Sequence, residues 1–170
     1  MKKGKSAEEL RHDTQLLLRK YRQVKWALEV SSQQALRELQ KRTGGVVVEY
    51  LHAAVFAGAD ISNTALEGRA QSMERSRKMI ALIDESVEFM RHNHNRGEMY
   101  YHILYHSYLS PNPIKWTEVL NELDKDGYMF SSNTMRKYRQ EAILIVGEIL
   151  WGYEDRESEK IIDELMEELE

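Results

Sequence analysis

Apolar residues recur at intervals of three and four along most of the chain, the spacing of one face of an α-helix, and sustained alternation is missing. The first such stripe follows Ser6, which can form a capping box with Glu9. It runs through Leu10, Leu17, Tyr21, Val24, Leu28 and Ala35 at near-heptad spacing, with Trp26 off the stripe. Thr43, Gly44 and Gly45 end it. Val46 to Phe56 opens on three consecutive valines and continues with helical alanines. No other segment offers a strand partner, so a short helix is expected there. A turn over Gly58 to Ser62 leads to a Thr64/Glu67 capping box and a long helix with its stripe on Leu66, Met73, Ile80, Ile83, Val87 and Met90, closed by NHNRG at Asn93 to Gly97.

The C-terminal half is denser in signals. Met99 to Leu109 reads as a helix with Met99, Ile103, Leu104 and Tyr108 inward, stopped by SPNP because proline cannot continue a helix. Trp116, Val119, Leu120 and Leu123 mark a helix of about ten residues, ended at Asp126 and Gly127, where glycine supplies a positive φ. After the turn Gly127 to Ser131, the segment SSNTMRKYRQEAI starts a helix capped by Ser131 that runs on through Ile149, Leu150 and Trp151 to Gly152. Met135, Tyr138, Ala142 and Ile145 point inward, and Ser132, Asn133, Arg136, Lys137 and Gln140 are left outward. Tyr128, Met129 and Phe130 are too apolar for a solvated turn, so at least one should fill the wedge between the flanking helices. A final amphipathic helix is expected on Ile161, Ile162, Leu165, Met166 and Leu169.

An outward row of short polar and basic side chains beginning at a helix N-terminus is the profile of a DNA recognition helix. Arg136 offers a fork to guanine edges or phosphate, Asn133 and Gln140 suit adenine edges, and Lys137 brings a mobile charge. Lys115 and Thr117, at the start of the preceding helix, are placed to meet phosphates. Arg139 is expected to hold the flank, and Ser131 and Thr134 sit at the positive end of the recognition helix.

The stretch from about Met99 to Tyr153, with YYHILYHSYLS, WTEVLNEL, SSNTMRKYRQEAI and GEILWGY, resembles the C-terminal half of the ArpU family of phage and prophage transcriptional regulators. More distantly it is similar to the promoter-reading C-terminal module of bacterial sigma factors, and the same order of parts occurs in RinA-type activators. The likeness covers about the last third. Upstream only the helical layout agrees, including KYRQVK at Lys20 to Lys25. Two departures stand out: Lys115 occupies a position that often carries a threonine or serine cap, and the turn is extended. The resemblance implies a sequence-specific DNA-binding regulator of phage or prophage genes. Double-stranded DNA is the expected partner, with RNA polymerase and a second copy of the chain as further candidates. The competing class is a helical assembly or interaction protein that reads no bases.

Composition narrows the field. The 170 residues include 42% hydrophobic positions, two prolines and no cysteine. This fits an all-α protein, excludes disulfides and thiolate metal sites, and suits the cytoplasm. No apolar run has the length of a membrane span, and no signal peptide opens the chain, so no membrane association is expected. The net charge of −4 hides a polarity. From Glu154 onward nine acids face two bases, whereas in the first 42 residues eleven bases face five acids. The expected architecture is a coiled-coil-like helical region over residues 1–97, a helix-turn-helix domain over 98–153 and an acidic amphipathic helix over 154–170. His102 and His106, four apart, are spaced to share a zinc ion, with His92 and His94 as further candidates. The chain lacks HExxH and cysteine, so no metal and no other cofactor is expected. GxSxG, P-loop, GxGxxG and nuclease spacings are absent, and the exposed carboxylates lack the surroundings that tune acid–base pairs, so no enzyme activity is expected.

Overall fold

The computed structural model describes residues 6–42, 65–152 and 167, and over these the protein is helical with no strand. The elements are α1 (Ala7–Arg42), α2 (Ala65–Asn93), α3 (Gly97–Leu104) continued by a π turn (Tyr105–Leu109), α4 (Trp116–Lys125) and α5 (Ser132–Trp151). No helix among the described residues is long and apolar enough to cross a membrane. The segment at Val46 to Phe56, the Thr64 cap and the acidic tail helix lie outside the described residues.

By packing, residues 1–22 and 79–170 form one unit and 23–78 another, whereas the sequence places its boundaries after residues 97 and 153. In the second unit the described parts are the remainder of α1 and the first half of α2. There Trp26, off the apolar stripe, is exposed, and Ser32 turns its hydroxyl back to the Leu28 carbonyl at 2.8 Å.

In the first unit α1 begins as its sequence dictates. The Ser6 N–H donates to Glu9 Oε2 at 2.8 Å and the Glu9 N–H to Ser6 Oγ at 3.3 Å. Leu17, Leu18 and Tyr21 of α1 are buried, as are Met79, Ile83, Val87 and Met90 of α2 and Ile103 and Leu104 of α3. Tyr21 donates to Asp84 Oδ1 at 2.7 Å, and burial, reinforced by that carboxylate, raises its pKa. Where α1 crosses α5, Thr14 is buried. Its hydroxyl donates to the Leu10 carbonyl at 2.7 Å and accepts from the Trp151 indole at 3.2 Å. Gly147 allows this crossing, because a Cβ there would overlap Thr14 Oγ1.

The helix expected over Met99 to Leu109 starts two residues earlier and changes pitch halfway. Its last five residues form a π turn closed by the Ser110 N–H on the Tyr105 carbonyl at 2.8 Å. That wider closure leaves the His106 carbonyl without its usual donor, and Pro111, which has no N–H, leaves Ser107 in the same state. Arg22 of α1 supplies what is missing. Its Nη2 donates to the His106 carbonyl at 3.4 Å and to Ser110 Oγ at 3.1 Å, Nη1 to the Ser107 carbonyl at 3.3 Å, and Nε to the Ser110 carbonyl at 2.6 Å. Burial lowers the Arg22 pKa.

Replacing Arg22 by Met keeps the stem but strands those carbonyls. We expect a loss of about 2–4 kcal/mol in urea unfolding, the scale of several charge-assisted hydrogen bonds with partial burial. Gly147→Ala should destabilise by about 1–3 kcal/mol despite better helix propensity, because Thr14 is bonded in two directions and cannot yield. A stabilised Gly147→Ala protein would refute this packing.

Candidate nucleic-acid interface

Three helical pieces carry the candidate residues: α3 with its π turn, α4 and α5. α4 begins at Lys115, which cannot serve as a side-chain acceptor. Instead Glu118 reaches back and takes the Lys115 N–H at 2.8 Å, leaving the ammonium outward with no ion pair among the described residues. The helix buries Val119 and Leu123 and stops as its sequence predicts. Gly127 takes φ 92°, the Tyr128 N–H donates to the Leu123 carbonyl at 2.8 Å and the Gly127 N–H to the Asp124 carbonyl at 3.0 Å, a Schellman ending.

The extended turn is packed by its aromatics. Tyr128 stacks on Phe130 with centroids 6.1 Å apart, Phe130 meets Tyr138 of α5 edge-on at 5.4 Å, and Tyr138 lies 6.2 Å from Tyr100 of α3. Two of the three apolar turn residues therefore fill the wedge, while Met129 is 83% exposed. Tyr100 ties α3 to α5 through a 2.5 Å hydrogen bond to Glu141 Oε2, and burial followed by that bond raises its pKa.

α5 starts with the expected cap: Ser131 Oγ accepts the Thr134 N–H at 3.2 Å and shares a 2.8 Å hydrogen bond with the Thr134 hydroxyl. Met135 and Ala142 are wholly buried, and Tyr138 and Ile145 are half-buried. On the other side Ser132, Asn133, Arg136, Lys137 and Gln140 are all exposed, as are Lys115 and Thr117 at the start of α4. Lys137 stands 3.9 Å from Glu141. Asn133, Arg136 and Gln140 make no hydrogen bond or ion pair to any described residue. Arg139 is placed differently. Its guanidinium lies 4.1 Å over the Trp116 ring, and its Nε is buried without a partner among the described residues. It fastens the start of α4 to α5, so Ser131, Thr134 and Arg139 serve internal contacts while the others are left outward.

A second cluster lies behind the turn and joins the two histidines noted in the sequence to a third residue. Asp126, the residue that caps the C-terminal end of α4, accepts on one oxygen, Oδ2, from His106 Nε2 at 2.6 Å and from His102 Nδ1 at 2.9 Å. Burial alone would raise this carboxyl, but the two imidazoles outweigh it and hold it below the ordinary aspartate range. The other nitrogen of His102, Nε2, faces Glu98 Oε1 at 3.4 Å. Glu98 is gripped by the Arg91 fork, Nε and Nη2 each at 2.7 Å, which lowers its pKa. His92 and His94 are elsewhere: His92 lies against the Glu88 carbonyl at 2.8 Å, and His94 stacks on Tyr100 at 5.2 Å and accepts the Arg96 N–H. The four-residue spacing of His102 and His106 was visible in the sequence, but the third member lies twenty residues on.

No family model matches the chain, and neither does any curated protein or solved structure.

Removing the Arg139 guanidinium while keeping its stem, as in Arg139→Met, should disturb the α4–α5 contact more than it disturbs the outward row. We expect about 0.5–2 kcal/mol lost in thermal or urea unfolding, the range of a partly desolvated cation–π contact. Arg136→Met should stay within about 0.5 kcal/mol of the parent, as surface changes do.

Proposed function

We propose that the chain is a sequence-specific double-stranded DNA-binding regulator of transcription, of the kind found in ArpU-type phage and prophage regulators, with the outward row of α5 entering the major groove. The observation that carries this reading is the contrast within one helix. Arg139 and Tyr138 are drawn inward, while Asn133, Arg136 and Gln140, one turn apart, stay exposed and bonded to nothing described. Their side chains combine fork, amide and amide, the donors and acceptors that distinguish base pairs in the major groove. Lys115 and Thr117 at the α4 N-terminus meet the phosphates flanking it, and Lys137 reaches the backbone beside the row. A single module touches few base pairs, so the active form engages DNA as a dimer or together with RNA polymerase.

One observation favours the other class, a helical protein-interaction component. Phe89 of α2 is 57% exposed at the rim of an apolar groove lined by Leu82, Ile149 and Leu150. Such a groove also suits self-association of a regulator.

Mobility shifts of the full chain on DNA from upstream of its own gene, titrated with salt, test the proposal. The protein should select a defined site, and Arg136→Ala should weaken that complex by about 1–3 kcal/mol while relaxing selection at one base pair. If Arg136 meets only phosphate, the loss is equal on all sequences and the salt slope falls by about one. A parent protein that binds every duplex alike, or none, overturns the proposal. Sedentary behaviour as an interaction protein would instead appear as a stable oligomer whose mass changes on Phe89→Glu without any DNA selectivity.

A further inference from the structure

We infer that His102, His106 and Asp126 form a site for a zinc-class divalent transition-metal ion, fastening the π turn to the C-terminal end of α4. The inference holds whether or not α5 reads DNA.

One donor atom from each of His102, His106 and Asp126 lies within 4.8 Å of the others, and the nitrogens turned to the carboxylate are His102 Nδ1 and His106 Nε2. Two imidazoles and a carboxylate with an open fourth position are a donor set that zinc and its first-row neighbours accept. All three side chains are partly covered, His106 the most at 13% exposed, His102 at 26% and Asp126 at 29%. The ion would thus be screened on one side and open to a water ligand on the other. The present contacts of 2.6 and 2.9 Å are those of hydrogen bonds. Tetrahedral coordination at about 2.0–2.1 Å sets neighbouring donors about 3.3 Å apart, so the two histidine–aspartate distances need to widen by only about half an ångström.

A second observation points to the same occupant. His102 is placed between two carboxylates, with Nδ1 on Asp126 at 2.9 Å and Nε2 facing Glu98 at 3.4 Å. A neutral imidazole has one N–H and can donate to only one of them. With a metal on Nδ1 the conflict disappears: the lone pair goes to the ion, and the remaining Nε2–H donates to Glu98. Glu98, fixed by the Arg91 fork, is then the outer carboxylate that orients a metal-bound histidine. Binding converts N–H groups at Nδ1 of His102 and Nε2 of His106 into lone-pair donors, so any proton there leaves for solvent. The competing occupant is a second proton on His102, which makes it an imidazolium clamped by both carboxylates.

Titrating the whole 170-residue chain, freed of metal, with Co²⁺ alone distinguishes the two. A metal site gives visible d–d absorption saturating at one equivalent, reversed by Zn²⁺, with a rise in melting temperature. Asp126→Asn and His106→Gln should weaken Co²⁺ binding by more than about 100-fold, and Glu98→Gln, on an exposed side chain that leaves the core intact, by about 10–100-fold. His92→Gln, outside the cluster, should bind as the parent does. Unchanged Co²⁺ binding in both His106→Gln and Glu98→Gln would place the ion elsewhere and overturn the inference. So would absence of the absorption in the parent, with a His102 imidazole that NMR shows doubly protonated at neutral pH.

Discussion

Arg22 is the contact on which the geometry of the C-terminal helices turns. A helix that widens to a π turn and then meets proline leaves carbonyls without donors, and a partly buried carbonyl left unpaired is costly. Four hydrogen bonds from one guanidinium, contributed by a residue 84 to 88 positions away in sequence, answer that need. The guanidinium suits the task because its donors form a planar fork that stays charged even where burial lowers its pKa. With the end of the π turn held by α1, the exit of the chain towards Lys115 is set. The spacing of His102 and His106, which spans the change from α to π pitch, is set with it.

From that anchor, contacts follow in order. The imidazoles meet Asp126 at the end of α4, Gly127 turns the chain, and Tyr128 and Phe130 lay the turn against Tyr138 of α5. Tyr100 and Glu141 close the other side of α3 on α5. The far half of α5 is held independently, by the crossing of Gly147 with Thr14 and the indole of Trp151. α5 is therefore restrained at both ends through its inner face, which frees the outer face of its first turns from structural duty.

What was legible in the sequence is what local chemistry decides. Ser6 with Glu9, Ser131 with Thr134 and Gly127 after Asp126 each signal within three residues, and each forms as read. The stripe of Met135 and Ala142 was equally plain, since a buried helical face must repeat every three or four residues. What escaped reading depends on partners distant in sequence. Arg22 looked like one more base in a basic helix, although its partners lie in another segment. Thr14 fell outside the apolar stripe, yet it is buried because its hydroxyl is satisfied by Leu10 and Trp151. Arg139 shares the basic character of Arg136, and only the position of Trp116 turns one inward and leaves the other out. Asp126 announced itself as a helix end, and nothing local reveals that two histidines converge on it.

The light engagement of Asn133, Arg136 and Gln140 has an evolutionary reading. Residues that neither cap, pack nor pair can be exchanged with little thermodynamic penalty, so drift at these three positions is buffered by the well-anchored inner face. A scaffold built this way can acquire a new preference on its outer surface while its fold is inherited unchanged.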